Sequence, residues 1–402
     1  MALCSEPIAA SRPCLEATMS TLSDLFSPSH FAKVRLPPED AEPLPHWAYT
    51  SPIWFERERE RIFARAWNYA GHSSQIPGPG DYLTLSIAGI PVIVVRGQDG
   101  NIRAFFNSCR HRGTKLLDGE GNAKLIRCPY HAWAYDLTGS LVATPLVEED
   151  MAGRKAILGL HRVRLEVLDG FMFAGLDEKL PPVATAMGSL SREWSGYAPA
   201  DLVCTRRKAW NVKANWKLWY ENYNDSLHVP FVHPGSLAKQ KVTGRQRASH
   251  VETDGDYIAH FTMHAGSRGL IEDDQGQALA RFPGLSGRYT GGTYYPCLLP
   301  ATLFGMTVDS VWVFELYPMA PDRTTLIASS LFAKDQVARA DFAEKAAYYY
   351  KRVDTIVPED NAAVERQQEG LCLPVGMSGK YTHMETLCHA FDNWVLDKVI
   401  GS

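Results

Sequence analysis

Two short cysteine–histidine pairs, Cys109-Arg110-His111 and Cys128-Pro129-Tyr130-His131, restrict the fold of this chain more than any other feature. Both lie in turn-rich stretches between strand-like segments. Residues 82–87 alternate as a half-buried strand does, and residues 89–95 form a short β-branched run. Residues 98–101 (Gln-Asp-Gly-Asn) signal a hairpin turn, and residues 102–107 read as the returning strand. Asp136-Leu137-Thr138-Gly139 opens another turn before a strand at 140–142. Residues 68–168 are therefore read as a small all-β domain. Two thiolates and two imidazoles on neighbouring loops make a four-ligand metal site, which zinc could fill. Zinc knuckles, however, usually pair cysteine with cysteine in one half. Here each half supplies one cysteine and then one histidine, and that symmetry suits a [2Fe–2S] cluster with the cysteines on one iron and the histidines on the other.

A second constellation lies in NWKLWYENYNDSLHVPFVHP, residues 215–234. Glu221, Asp225 and His228 fall at i, i+4 and i+7, one face of a helix beginning near Asn215. His233 is out of phase with His228, but Pro230 stands between them and disfavours regular helix just before itself. A break there would bring the two imidazoles together. Two histidines and one carboxylate form the facial set that holds Fe(II) and leaves positions open. Asp360, in VPEDNAAVERQQEGL, is the candidate carboxylate, at the start of the helix expected after Pro358, with Glu359 as its rival.

These two stretches resemble the motifs of the Rieske non-haem iron, ring-hydroxylating oxygenase family. In CRHRGTKL…CPYHAWAYDLTGSLV, Arg112-Gly113 and Leu116 match the first cluster loop; Trp133, Tyr135, Asp136 and Gly139 match the second. Ala132 stands where the family commonly has glycine, which matters if the backbone there takes a positive φ. Asn222, Asp225, His228 and His233 match the mononuclear-iron motif. The resemblance implies that Cys109, His111, Cys128 and His131 hold the cluster and that His228, His233 and Asp360 hold the iron. It makes Asn222 and Asp225 catalytic-site residues, with Asp225 bridging to a cluster-ligand histidine of an adjacent subunit. It implies an α+β fold: a small all-β Rieske domain, then a helix-grip catalytic domain with an antiparallel sheet wrapped on a long helix. It also implies O₂ as co-substrate, electrons from NAD(P)H through a separate reductase or ferredoxin, and a homotrimer. The chain length, the ENxxDxxH spacing and the EDNxxxE segment resemble the choline, carnitine, glycine betaine and stachydrine oxygenases. Their substrates are quaternary amines and betaines, which aromatic side chains can hold by cation–π contacts. Tyr257, Tyr294, Phe304, Trp312 and Phe314 are the strand aromatics that could contribute. Several members of that subgroup have Glu where this chain has Asp225, so an aromatic acid or ring compound stays open as the substrate.

The rest of the chain fits this frame. Its 402 residues suit two or three domains, divided here as an extension at 1–45, a helix and Rieske domain at 46–168, and a catalytic domain at 169–402. Residues 1–45 are read as packing late or loosely. Strands are expected near 257–263, 293–299, 302–307, 311–318 and 324–332. Helices are expected over 335–354, 361–368 and 392–399. Net charge is −4, from 41 basic and 45 acidic residues, which gives no reason to expect nucleic acid as a partner. No apolar run reaches the roughly 18–20 residues that span a bilayer. Residues 1–19 have neither a basic n-region nor a continuous apolar h-region, so they are not read as a secretory signal, and Met19 could be the start. Eight cysteines spread over this length suit a cytoplasmic protein with mostly reduced thiols. No GxGxxG follows a strand, so the chain carries no nucleotide domain of its own. A bare Rieske electron carrier would need only the β domain, and a non-catalytic binder would need neither metal set.

Overall fold

The computed structural model describes residues 24–151, 153–240, 253–373 and 379–401. The expectations for residues 1–23, including Met19 and the absence of a signal sequence, lie outside these. The first body is a seven-stranded sheet with order β1-β10-β9-β4-β3-β2-β5. Its strands are β1 (Trp67–His72), β2 (Asp81–Ile87), β3 (Ile90–Arg96), β4 (Ile102–Phe106), β5 (Glu120–Asn122), β9 (Arg162–Leu168) and β10 (Phe171–Gly175). A small three-stranded sheet, β6 (Ile126–Arg127), β7 (Ala134–Tyr135) and β8 (Leu141–Ala143), carries the second Cys-His loop. The β-branched run in β3 is buried on both sides. Ile93 and Val95 pack with Phe105, Tyr135 and the two loop cysteines, while Val92 and Val94 pack with Ala104, Met172 and Ala174. A strand covered on both faces needs such a run rather than an alternation.

The second body is a six-stranded antiparallel sheet with order β11-β16-β15-β14-β13-β12. Its members are β11 (Leu202–Val212), β12 (Tyr257–Met263), β13 (Gly292–Leu298), β14 (Thr302–Met306), β15 (Val311–Ala320) and β16 (Arg323–Ala333). In β15, Trp312, Phe314 and Leu316 turn to one face, where helices α1 (Pro52–Arg61), α2 (Trp216–Asn224), α4 (Phe342–Leu371) and α5 (Thr386–Val399) pack; the one-turn helix α3 (Val229–Val232) lies against α4. Val311 and Val313 turn to the other face and meet Tyr69, Phe171, Phe173 and Trp194. The strand period of two thus sorts one sequence into two cores. No helix among the described residues is long and apolar enough to cross a membrane.

Four expectations are corrected. The helix expected to break before Pro358 is continuous from Phe342 to Leu371 with the proline inside it. An internal proline costs about 3 kcal/mol, and the burial of Val353, Ile356, Val357, Val364 and Leu371 against the sheet outweighs it. The helix expected to run through Asp225 to Pro230 ends at Asn224, with Asp225 extended (φ −94°, ψ 126°). Pro230 instead lies in the first turn of α3, where its missing N–H costs nothing. The N-terminal extension is packed, not loose, from residue 24: Phe31, Val34 and Leu44 belong to the helix-side core of the second body. Helix α1, expected as part of the helix-and-Rieske unit at 46–168, joins that same core through Trp54 and Phe55. Its buried Glu58 accepts from Trp54 Nε1, Trp216 Nε1 and Lys217 Nζ (2.8, 2.9 and 2.6 Å).

Candidate cluster and iron sites

The two Cys-His loops are built on one plan. In the first, the Cys109 N–H donates to the Thr114 carbonyl (2.8 Å) and the Gly113 N–H to the Cys109 carbonyl (2.9 Å). In the second, the Cys128 N–H donates to the Trp133 carbonyl (2.8 Å) and the Ala132 N–H to the Cys128 carbonyl (3.0 Å). Each loop closes through a left-handed residue, Gly113 (φ 77°) and Ala132 (φ 57°). The position where Ala replaces glycine therefore does take a positive φ, and Ala132 bears that strain. Both thiols are free and buried, whereas His111 and His131 are exposed with ring centroids 4.8 Å apart. The His111 ring stacks on Trp133 at 4.5 Å and 11°. The Tyr135 hydroxyl accepts the Arg110 N–H (3.0 Å) and lies 3.3 Å from the Cys109 sulfur. Burial raises the Cys109 thiol's pKa, and that Tyr135 contact opposes the rise. Two buried sulfurs behind two exposed imidazoles match the donor set of a [2Fe–2S] cluster whose histidine iron faces the surface.

The second set assembles from three elements. His228 and His233 flank the one-turn helix α3, which brings their ring centroids to 5.3 Å. Asp360 projects from mid-α4. One donor atom from each of His228, His233 and Asp360 lies within 4.8 Å of the other two. Glu359 is placed differently, because adjacent helical residues point about 100° apart. Its carboxylate meets the far nitrogen of His233, Nδ1, at 2.6 Å and accepts from Ser236 Oγ at 2.8 Å. Asp360 Oδ1 meets the near nitrogen, Nε2, at 2.9 Å and accepts from Asn222 Nδ2 at 2.9 Å. Asp225 does for His228 what Glu359 does for His233. Its Oδ2 lies 3.3 Å from His228 Nδ1, while its Oδ1 accepts from the Leu227 N–H at 2.6 Å. Burial lowers the His233 pKa, but Asp360 and Glu359 more than offset it and hold the group above the ordinary imidazole value. Near nitrogens converging on one carboxylate, with far nitrogens held by others, suit a divalent metal with ordered ligands.

A cavity of about 100 Å³ opens beside these three side chains. Of the five strand aromatics, only Trp312 and Phe314 line it; Tyr257, Tyr294 and Phe304 face the opposite core. The remaining walls include Tyr223, His260, Arg268, Tyr295 and Arg352, which sequence reasoning missed. One signal was available. Arg352 sits on the buried stripe of α4 with Tyr349, Val353 and Ile356, where a charge is out of place.

The family models describe the same two parts. The Rieske [2Fe-2S] domain matches residues 66–162, and the ring hydroxylating alpha subunit (catalytic domain) matches residues 199–401. The carnitine monooxygenase oxygenase subunit of Escherichia coli (strain K12) is 30% identical over 357 residues, 88% of this chain and 90% of that protein. The chloroplastic choline monooxygenase of Spinacia oleracea is 28% identical over 397 residues, 94% of this chain and 83% of that one. Among solved structures, a quaternary ammonium Rieske monooxygenase in complex with its substrate L-carnitine aligns with a TM-score of 0.73 at 25% identity, covering 90% of this chain and 96% of that one. The chain therefore belongs to the ring-hydroxylating oxygenase alpha-subunit family, oxidoreductases that combine a Rieske [2Fe–2S] cluster with a mononuclear iron that uses O₂.

Proposed function

We propose that this chain is a cytoplasmic oxygenase of small quaternary amines or betaines, hydroxylating the substrate or removing an N-methyl group. It takes electrons from NAD(P)H through a separate reductase. The observation that carries this reading is the compact cavity beside His228, His233 and Asp360, walled by Tyr223, Tyr295, Trp312 and Phe314. Aromatic faces hold alkylated ammonium groups by cation–π attraction, and the relatives' names point to such substrates.

In this reading Cys109, His111, Cys128 and His131 hold the cluster, and His228, His233 and Asp360 hold the iron. Iron bound there would activate O₂ with electrons relayed from a cluster. The protein's own part is positional. Asn222 fixes the Asp360 oxygen, Glu359 and Asp225 fix the two imidazoles, and the aromatic walls exclude bulk water from the reacting carbon. The exposed His111 and His131 present the cluster edge to another molecule. We place a neighbouring subunit's cluster against Asp225 in a homotrimer; one structural neighbour is described as using inter-subunit electron transfer.

The deciding experiment is NAD(P)H-dependent O₂ uptake by the reconstituted enzyme and reductase, with quaternary amines and betaines compared against aromatic acids. Coupled uptake with the former, releasing aldehyde from an N-methyl group or yielding an alcohol, is expected. Uptake with aromatic acids alone would overturn the substrate assignment. Asp225→Asn is expected to keep both metal centres and lose turnover; normal, tightly coupled turnover in that variant would remove Asp225 from the electron route.

A further inference from the structure

The polar groups of the cavity are unbalanced. Arg268 and Arg352 both line it, and both are more than nine-tenths buried (8% and 4% exposed). Arg268 Nε and Arg352 Nε and Nη1 are buried without a hydrogen-bond partner, and among the described residues neither guanidinium forms an ion pair. The nearby carboxylates are committed elsewhere: Asp360 to His233 and Asn222, Asp225 to His228 and the Leu227 N–H, Glu359 to His233 and Ser236. Burying two cations with no carboxylate in direct contact is costly unless something that binds there supplies one. Burial, partly opposed by Tyr295, Tyr223 and the Asp360 carboxylate and reinforced by Arg268, pulls the Arg352 pKa down to about 10, so the group still carries its proton at neutral pH.

We propose that the substrate carries a carboxylate, held by Arg268 and Arg352 in the wall of this cavity. This rests on the oxidation reading above and narrows its substrate class. Guanidinium groups present paired N–H donors that match a carboxylate's two oxygens. The Arg352 guanidinium lies 4.1 Å over the Trp312 ring, which orients it and leaves that ring face covered. An ammonium group would therefore use Tyr223, Tyr295 or Phe314 instead. Arg352 precedes Asp360 by two helical turns, a rise of roughly 12 Å. A molecule anchored there by its acid end presents its opposite end to His228, His233 and Asp360, so the oxidised carbon is the one remote from the carboxylate. A cation without an acid group, such as choline, would meet two guanidinium charges with nothing to offset them.

Calorimetric titration of the as-isolated holoenzyme with matched pairs tests this: carnitine against carnitinamide, and benzoate against benzamide, with choline as the bare cation. Each acid is expected to bind about tenfold or more tighter than its amide. Arg268→Gln and Arg352→Gln are each expected to shrink that gap. A larger gap for carnitine identifies a betaine acid and a larger gap for benzoate an aromatic acid; either supports the carboxylate site. Amides or choline binding as tightly as the acids, or no acid binding at all, would overturn it. Oxygen uptake is scored separately. Turnover of choline but of no acid sinks the carboxylate site and leaves the oxygenase reading standing, whereas acid-selective binding without uptake of oxygen does the reverse.

Discussion

Glu359 and Asp360 are consecutive acidic residues on one helix, and the structure gives them opposite sides of the same imidazole. Exchanging each in turn should therefore have unequal effects on the iron. Asp360→Ala removes one of the three converging donors and is expected to empty the mononuclear site. Glu359→Gln removes only the charge behind His233 Nδ1, 2.6 Å away, and leaves an amide oxygen to accept there. A hydrogen bond to a charged group is worth ~1.5–3 kcal/mol and a neutral one ~0.5–1.5. The loss is thus about 1–2 kcal/mol, or roughly a tenfold weaker hold on the metal. That is the low end of the range for losing a partner behind a ligating histidine. The assay is iron retained against a graded chelator, with the cluster's visible absorbance as an internal count. Asp360→Ala should fall from about three irons per chain to about two; Glu359→Gln should keep about three until the chelator is raised roughly tenfold. If Glu359→Gln strips the site and Asp360→Ala does not, the assignment of the two carboxylates is inverted.

Tyr135→Phe removes the hydroxyl 3.3 Å from the Cys109 sulfur, a contact that favours the more negative, reduced cluster; a drop in reduction potential of about 60 mV per ~1.4 kcal/mol lost is expected in a redox titration followed by spin resonance. An unchanged or higher potential would remove Tyr135 from the control of the cluster. Ala132→Gly relieves a left-handed alanine at φ 57°: the relief of ~1–2 kcal/mol less the ~0.5–1 kcal/mol entropic cost of glycine leaves about 0.5–1 kcal/mol of stabilisation, read from the denaturation midpoint. A lowered midpoint would count against the strain. His72 is buried, accepts from the Ser74 N–H (3.2 Å) and lies 3.1 Å from the Pro199 carbonyl, and burial pushes its pKa down to about 4. The unfolded imidazole, near 6.5, takes up its proton first as pH falls. Stability should therefore drop between about pH 6.5 and 4, by about 2 kcal/mol at pH 5, and His72→Gln should flatten that profile in urea titrations at pH 7 and 5.

The cluster loops were readable from sequence because their information is local. Cysteine, histidine and the turn residue of each loop fall within five positions, and the flanking strands announce themselves by alternation and β-branched runs. The pairing of His228 with His233 was also readable, although the helix breaks at Asn224 rather than at Pro230. The position of Asp360 was misread as the start of a helix, because a proline rule valid for an isolated helix was applied to one clamped by a sheet. Glu359 and Asp360 could not be told apart until the helix was known to run through both. The cavity wall was the least legible part. Whether Tyr294 or Tyr295, Trp312 or Val313, faces His228, His233 and Asp360 depends on which side of β13 and β15 meets α4, and aromatic residues occur on both sides. Helix amphipathicity did hold one clue, Arg352 on an otherwise apolar stripe.

The strands β1 and β10, where the chain enters and leaves the first sheet, are hydrogen-bonded neighbours, with Trp67 opposite Gly175. The segments before and after that sheet, from Phe31 to Phe63 and from Val212 to Val399, share one core. The cluster-bearing sheet is in this sense a loop-out from a body made of both ends of the polypeptide. During synthesis it can close on itself long before the oxygen-using half is complete. That half is complete only when α5 arrives to close the core its opening segment shares with α2. Truncation at residue 46 would accordingly damage the far end of the molecule, whereas excising 67–175 and rejoining the two adjacent ends would leave the helix-side core contiguous but strip Tyr69, Phe171 and Phe173 from the opposite face of the second sheet.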